Sequence, residues 1–274
     1  MTQSGFVELN GTKLYYEMAG EGHPLVLIHG GLVNRNSWDD QFDVFAQHYR
    51  VIRYDMRGFG DSAVITADTE PYSMRQDLYN LLQFLGIEKT YVLGLSIAGG
   101  MAIDFTLEYP QVVDALIPVA AGVSGFKSEE ENNLIWTKFE EAFKRGDIPQ
   151  AVELTLQFWT DGPNRKPEQV DATVRERVRA MTTRNYKRPD ADDEITPQPQ
   201  KLDPPAISRL SEIHVPTLII VGYQDVRDIL TIADILAKGI PGAQKVVIPG
   251  TAHHLNMEKP AEFNRIVLDF LGRL

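Results

Sequence analysis

The sequence contains no cysteine among its 274 residues. This absence excludes disulfide bonds, thiol nucleophiles and metal sites with cysteine ligands, and it is consistent with a reducing compartment. Long apolar runs are also missing, because no stretch approaches the ~20 residues that a membrane-spanning helix needs. The segment Met1–Glu8 has no basic part followed by an apolar part, so no signal peptide is predicted. We therefore expect a cytoplasmic protein.

Positive charge is scarce in this chain. Lysine and arginine number 27 against 38 aspartate and glutamate residues, and the formal net charge is −11. A nucleic-acid partner requires a basic face, and lipid headgroup surfaces are anionic, so neither partner is expected. Hydrophobic residues make up 43% and charged residues 24%, which is ordinary for a folded globular protein. The length suits one α/β domain with an insertion.

Short apolar runs recur along the chain and alternate with helical patterns. The first two runs, Phe6–Leu9 and Lys13–Met18, flank Asn10-Gly11, which is typical of a hairpin turn. The later runs predict buried strands at Leu25–Ile28, Val51–Tyr54, Tyr91–Leu93, Ala115–Val119, Thr217–Val221 and Lys245–Ile248. Helices are predicted at Ser73–Leu85, Gly99–Tyr109, Asp228–Lys238 and Ala261–Leu271. This alternation predicts an α/β fold with a mostly parallel, eight-stranded sheet flanked by helices, and a ligand site at the carboxyl ends of the strands.

One interval, from Ser124 to Arg209, breaks the alternation because it has no convincing strand pattern. Helical patterns occur instead at Glu129–Lys144, Pro149–Phe158 and Pro167–Thr183, and an irregular stretch follows at Pro189–Pro205. We predict that residues 1–123 and 210–274 form the core and that residues 124–209 form a helical cap, hereafter the predicted cap.

A candidate nucleophile lies where one predicted strand gives way to a helix. Tyr91–Leu93 continues into Gly94-Leu95-Ser96-Ile97-Ala98-Gly99-Gly100. A serine between small residues at such a turn is the arrangement of a nucleophile elbow, in which a strained backbone exposes the hydroxyl. Ala98 stands where the common G-x-S-x-G pattern has its second glycine. The alternative interpretation of Ser96 is a simple helix cap.

The strand Leu25–Ile28 ends in His29-Gly30-Gly31. A glycine-rich loop at this place allows a backbone N–H to point toward the serine. The N–H groups of Gly31 and Ile97 are the predicted donors that would stabilise a tetrahedral oxyanion. A tight turn that needs glycine is the alternative, and both can hold together.

An acid and a base follow the last two predicted strands. Asp225 comes just after Thr217–Val221, where a carboxylate can orient an imidazole; an ordinary turn aspartate is the alternative. Asp228 fits better as part of the next helix. His253 and His254 follow the final strand, which completes the chain order serine, aspartate, histidine. The histidines without such a context are interpreted as structural: His23, His48 and His214.

These motifs together resemble the α/β-hydrolase superfamily, and within it the small cap-bearing esterases, lactonases and cofactor-free haloperoxidase-like enzymes. The resemblance covers nearly the whole chain. Besides the elbow, it includes His29-Gly30-Gly31 with Trp38, Asp55-Met56-Arg57-Gly58-Phe59-Gly60-Asp61-Ser62 as a D-x-R-G-x-G-x-S loop, and His253 with Glu258, Pro260 and Phe263. The register of His253 against Glu258 and Pro260 favours it over His254. Arg57 is interpreted as a residue that braces its loop.

The resemblance implies hydrolysis of a small-molecule carboxylic ester with an apolar acyl or aryl group, without a metal or organic cofactor. Ser96, His253 and Asp225 would be the triad. Related dehalogenases and epoxide hydrolases carry a carboxylate nucleophile at the elbow, so Ser96 argues against both. Lactone hydrolysis, C–C bond hydrolysis and a ligand receptor with little turnover stay open as alternatives. A minority of the cap aromatics are expected to line an apolar pocket, and most to pack: Phe126, Trp136, Phe139, Phe143, Phe158, Trp159 and Tyr186. If none of these aromatics lines the pocket, Leu32 and Val33 are the first candidates to line it.

Overall fold

The computed structural model describes residues 2–9, 11–128, 134–188 and 197–274. The strands in this part of the chain are β1 (Gln3–Leu9), β2 (Thr12–Ala19), β3 (Pro24–Ile28), β4 (Arg50–Tyr54), β5 (Thr90–Leu95), β6 (Val113–Val119), β7 (Leu218–Gly222) and β8 (Gln244–Ile248). They form one eight-stranded sheet in the order β1-β2-β4-β3-β5-β6-β7-β8. Every predicted strand is present, but β8 is not buried as predicted: it is the last strand of the sheet, and Ile248 is its one buried residue.

The sheet is antiparallel at one end and parallel elsewhere. β1 pairs with β2, and β2 with β4, in antiparallel register, whereas the pairs from β4–β3 to β7–β8 are parallel. Leu27 of β3 lies opposite Arg53 on one side and Leu93 on the other. The predicted mostly parallel, eight-stranded sheet is confirmed. Of the predicted hairpin dipeptide, Asn10 lies outside the described residues, and Gly11 has a φ of 77°.

Helices cover both faces of the sheet. They are α1 (Asp39–Phe45), α2 (Met74–Phe84), α3 (Ile97–Glu108), α4 (Leu134–Lys144), α5 (Ile148–Thr155), α6 (Ala172–Tyr186), α7 (Arg227–Gly239), α8 (Leu255–Glu258) and α9 (Pro260–Leu271). α1 and α8 were not predicted, because each is at most two turns long and shows too little periodicity. α3 begins two residues before its predicted start, since Ser96 is its N-cap residue.

Between β6 and β7 the described chain is helical, but the helix bounds differ from those predicted. The predicted helix Pro149–Phe158 is instead α5, which continues into a π-helix at Leu156–Asp161. The predicted helix Pro167–Thr183 is a short 3₁₀ turn followed by α6. α6 starts where the Asp171 carboxylate accepts the N–H of Thr173 at 2.7 Å, which is a typical N-cap. Residues 129–133 of the first predicted helix and 189–196 of the predicted irregular stretch lie outside the described residues.

The core lies on both faces of the central strands. β5 and β7 are buried along their whole length, which explains why their sequences are continuous apolar runs. Two residues of separate sequence motifs also meet there, since the rings of Trp38 and Phe263 lie 6.1 Å apart and both are buried. No helix within the described ranges is long and apolar enough to cross a membrane.

Candidate active site

Ser96 occupies a strained turn between β5 and α3. Its φ of 61° and ψ of −121° are unusual for a residue with a side chain. Three hydrogen bonds hold this conformation: Ser96 N–H donates to Val119 O at 2.9 Å, and Ser96 O accepts the N–H groups of Gly100 and Gly122, each at 3.1 Å. Its side chain is partly exposed. Such a backbone outlier is typical of functional sites.

The small residues beside Ser96 are required by close backbone approach. A Cβ atom at Gly94 would lie 2.3 Å from the carbonyl oxygen of Ala98, which no side chain tolerates. On the helix side the tight position is Gly99, where a Cβ would lie 2.6 Å from Cβ of Ala121. Ala98 itself is fully buried without such a clash. The position two residues after Ser96 therefore accepts alanine as a small residue. Glycine is needed one residue later, at Gly99.

The loop after β3, residues 30–33, lies against the elbow and is called the oxyanion loop below. A Cβ at Gly30 would lie 3.3 Å from Cβ of Ser96, and a Cβ at Gly31 would lie 2.9 Å from Cδ1 of Ile97. Ile97 is the first residue of α3, and its side chain is 50% exposed. The structure thus brings together the two segments that carry the predicted oxyanion donors.

His29 anchors the start of this loop. Its Nε2 accepts the N–H of Met56 at 3.0 Å, so the proton is on Nδ1, which donates to Gly30 O at 2.7 Å. The ring is fully buried, and this burial lowers the pKa of His29. The neutral ring joins the oxyanion loop to the D-x-R-G-x-G-x-S loop.

Asp225 and His253 form a buried pair at the ends of β7 and β8. The His253 Nδ1 atom lies 3.0 Å from Oδ2 and 3.2 Å from Oδ1 of Asp225. The carboxylate also accepts the N–H of Val226 at 2.8 Å. Among the described residues no protein atom hydrogen-bonds Nε2 of His253, although this atom is buried. A carboxylate that holds Nδ1–H leaves Nε2 as an acceptor, which is the state a general base needs.

His254 has a different environment. Its Nδ1 lies 3.2 Å from the hydroxyl of Thr160, on the π-helix. Full burial and, next, the nearby His253 lower the pKa of His254 to about 3, so the ring is neutral at physiological pH. No carboxylate orients His254 among the described contacts. Of the two histidines, His253 is the one that pairs with a carboxylate among the described contacts.

The histidine loop, residues 249–254, is braced by an ion pair that the sequence reasoning missed. Glu258 accepts the N–H of Ala252 at 2.8 Å and pairs with Arg165 at 2.5 Å, and both side chains are buried. Arg165 also donates to the carbonyls of Thr160 and Gly250, each at 2.8 Å. Arg165 carried no sequence signal, because it lies far upstream in an interval without motifs.

Asp228 and Arg57 have hydrogen-bond partners other than the triad candidates. Asp228 is in the first turn of α7 and accepts the hydroxyl of Ser128. Arg57 forms a buried bidentate ion pair with Asp77, at 3.0 and 2.8 Å, which fits a bracing role. No group of three histidine and carboxylate side chains that could hold a metal ion occurs in the part of the chain that the structure describes.

The sequence of this chain is similar to those of known proteins. Residues 23–260 match the family model of the alpha/beta hydrolase fold. The chain belongs to this family. A relative from Paraburkholderia phymatum, named 2-hydroxy-6-oxononadienedioate/2-hydroxy-6-oxononatrienedioate hydrolase, is 29% identical over 268 residues, which cover 95% of this chain and 91% of the relative.

Solved structures give the same fold. One described as "Est816 as an N-Acyl homoserine lactone degrading enzyme" has a TM-score of 0.75 and 26% identity, over 97% of this chain and 100% of that one. A bromoperoxidase from Bacillus anthracis has a TM-score of 0.78 and 25% identity, over 98% and 100% of the two chains. The predicted family resemblance and fold class are therefore confirmed. The names of these similar proteins describe different activities: a hydrolase, a lactone-degrading enzyme and a bromoperoxidase.

Proposed function

We propose that this hydrolase cleaves carboxylic esters with small to medium apolar acyl or aryl groups, through Ser96, His253 and Asp225. The buried pair of Asp225 and His253, in which the carboxylate lies 3.0 Å from Nδ1 of the ring, is the observation that supports this function most directly. The strained backbone of Ser96 is the second supporting observation, since a nucleophile elbow presents its hydroxyl at the end of a strand, here β5.

The chemistry is acyl transfer to water. His253 Nε2 accepts the proton of Ser96 as its oxygen attacks the ester carbonyl, and Asp225 stabilises the imidazolium that forms. The N–H groups of Gly31 and Ile97 stabilise the oxyanion; that of Ile97 also lies at the N-terminus of α3, where the helix dipole favours negative charge. His253 then protonates the leaving alcohol. A water molecule that loses its proton to His253 releases the acid and regenerates Ser96.

C–C bond hydrolysis and lactone hydrolysis are the second candidates, because the Paraburkholderia relative is named as a hydrolase of 2-hydroxy-6-oxo dienedioates and Est816 is described as a lactone-degrading enzyme. The name of the relative describes a dicarboxylate, which a site recognises through cationic side chains. Three arginines with buried side chains are each ion-paired to a carboxylate: Arg35 with Asp55, Arg57 with Asp77 and Arg165 with Glu258. This pairing favours an uncharged substrate, which an ester or a lactone satisfies.

A panel of substrates tests these functions. We expect turnover of p-nitrophenyl acetate and butyrate, and a loss of about 10⁴-fold or more in kcat for Ser96→Ala with the fold retained. A fluorophosphonate should label Ser96, as located by peptide mass spectrometry. Faster turnover of an N-acyl homoserine lactone or of a 2-hydroxy-6-oxodienoate than of any ester would favour the second candidates. Ligand binding without turnover would favour a receptor.

A further inference from the structure

Two side chains of α6 reach from the predicted cap to the oxyanion loop. The hydroxyl of Thr182 donates to Leu32 O at 3.1 Å, and Nδ2 of Asn185 donates to Val33 O at 3.2 Å. Thr182 and Asn185 are three residues apart and therefore lie on the same face of the helix. Both are buried, and the two carbonyls that they hold directly follow Gly31.

The oxyanion loop depends on outside restraint. Its turn is closed by the N–H of Val33 and the carbonyl of Gly30 at 3.4 Å, which is longer than an ordinary N–H···O hydrogen bond. His29 fixes the start of the loop from the core side. The contacts from α6 fix the end of the loop, so its backbone is held on both sides of Gly31.

We propose that Thr182 and Asn185 are positioning residues that hold the Gly31 N–H in place for the oxyanion. This role rests on the proposed function, in which Gly31 and Ile97 donate to the oxyanion. Donors contribute most when they are oriented before charge develops, because no reorganisation is then needed in the transition state. The two side chains touch carbonyls and not substrate, so they should influence kcat more than KM.

Other contacts of α6 provide a matched control. Arg177, on the same helix, forms an ion pair with Asp40 at 2.6 Å on α1, away from the oxyanion loop. Arg177→Gln therefore weakens the attachment of α6 to the core without removing a bond to Leu32 or Val33. If Thr182 and Asn185 only attached α6 to the core, substitutions at Thr182, Asn185 and Arg177 should have the same effects on kcat and on the melting temperature.

The test compares Thr182→Val, Thr182→Ser, Asn185→Leu and Arg177→Gln with the wild type. The measurements are kcat and KM for p-nitrophenyl acetate, the melting temperature, and inhibition by an aryl trifluoromethyl ketone, whose serine adduct carries an oxyanion. Removal of a direct donor costs about 10²–10³-fold in kcat. For Thr182→Val and Asn185→Leu we expect a smaller loss of about 5–50-fold, because these residues act through the loop. The inhibition constant should rise by a similar factor, with KM within about twofold, while Thr182→Ser and Arg177→Gln stay near wild type.

Unchanged kcat and inhibition in folded Thr182→Val and Asn185→Leu variants would overturn the inference. The inference would also be overturned if Arg177→Gln lost as much kcat as Thr182→Val and Asn185→Leu do at the same drop in melting temperature. Thr182→Ser keeps the hydroxyl, so a loss of activity in this variant also counts against the role. If the wild type turns over no ester, the proposed function fails and this inference fails with it. If the wild type turns over esters and the Thr182→Val and Asn185→Leu variants do so equally well, the inference alone is wrong and the proposed function stands.

Discussion

The backbone N–H of His253 donates to the carbonyl of Trp159 at 3.3 Å, and the centroids of their rings lie 4.3 Å apart. Trp159 belongs to the π-helix between α5 and α6, so a segment of the predicted cap contacts the proposed base directly. The insertion therefore contributes to the support of the proposed base, in addition to any effect on the choice of substrate.

The aromatic side chains of the predicted cap form two groups, and we expect substitutions in the two groups to have different effects. Trp136, Phe158 and Trp159 contact one another, and Trp159 contacts His253. Phe139, Phe143 and Tyr186 contact one another, and they join the first group where the rings of Phe139 and Trp136 lie 5.3 Å apart. We expect Trp159→Leu to change the preference among esters from acetate to octanoate, since each methylene in an apolar pocket is worth ~1–3 kcal/mol. Phe143→Leu should lower the melting temperature and keep the ratios of kcat/KM. A chain-length profile unchanged in Trp159→Leu would exclude it from the pocket.

The two adjacent histidines should differ strongly in function. His253 pairs with Asp225, whereas His254 pairs with Thr160. We expect His253→Ala to lower kcat by about 10⁴-fold or more and His254→Ala to lower it far less. The measurement is kcat for p-nitrophenyl acetate, with circular dichroism to verify folding. Equal losses, or the reverse order, would contradict the assignment of the base.

The buried neutral ring of His254 predicts loss of stability in acid. Its pKa falls from an ordinary 6.5 to about 3 in the folded protein, so between these values the unfolded state binds a proton that the folded state does not. Stability should therefore fall as pH drops below 6.5, by at most ~1.4 kcal/mol per pH unit from this group. Urea unfolding of wild type and His254→Gln from pH 7 to 4.5 tests this. A variant with the wild-type slope would show that His254 does not contribute.

The ion pair beneath the histidine loop should matter far more than a surface pair. Arg165→Met leaves the buried Glu258 carboxylate unpaired and should cost about 3–5 kcal/mol of unfolding free energy. The double variant with Glu258→Gln removes the orphaned charge and should recover part of this loss. Arg265→Gln, which breaks the exposed pair with Asp269, is the control and should cost under ~1 kcal/mol. If urea unfolding showed equal losses of unfolding free energy for Arg165→Met and Arg265→Gln, the buried pair would matter no more than the exposed one.

The sheet was predictable because its central strands are buried on both faces and read as continuous apolar runs, as in β5 and β7. The order of loops was predictable because Gly94 and Asp225 follow such runs, and because His253 follows the short apolar end of β8, residues 246–248. α1 was missed, since Asp39-Asp40-Gln41 opens it with polar residues and it has only two turns.

The bonds between distant segments had no local signal. Thr182 and Leu32 are 150 positions apart, and neither belongs to a periodic pattern that identifies the other. Arg165 and Glu258 are likewise 93 positions apart. Such contacts depend on where the chain folds back onto the core. For this reason the donors and acceptors that surround the candidate site were found only in three dimensions.

The attachments of the π-helix and α6 also limit how a substrate reaches Ser96. Movement of the π-helix would pull on His253 through Trp159, and movement of α6 would pull on the carbonyls of the oxyanion loop. α4 is attached to the same segment, because its Trp136 contacts Phe158 and Trp159 of the π-helix. A substrate that required the insertion to move would therefore also disturb the proposed base and the oxyanion loop, so access to Ser96 and the geometry of the proposed triad depend on the same contacts.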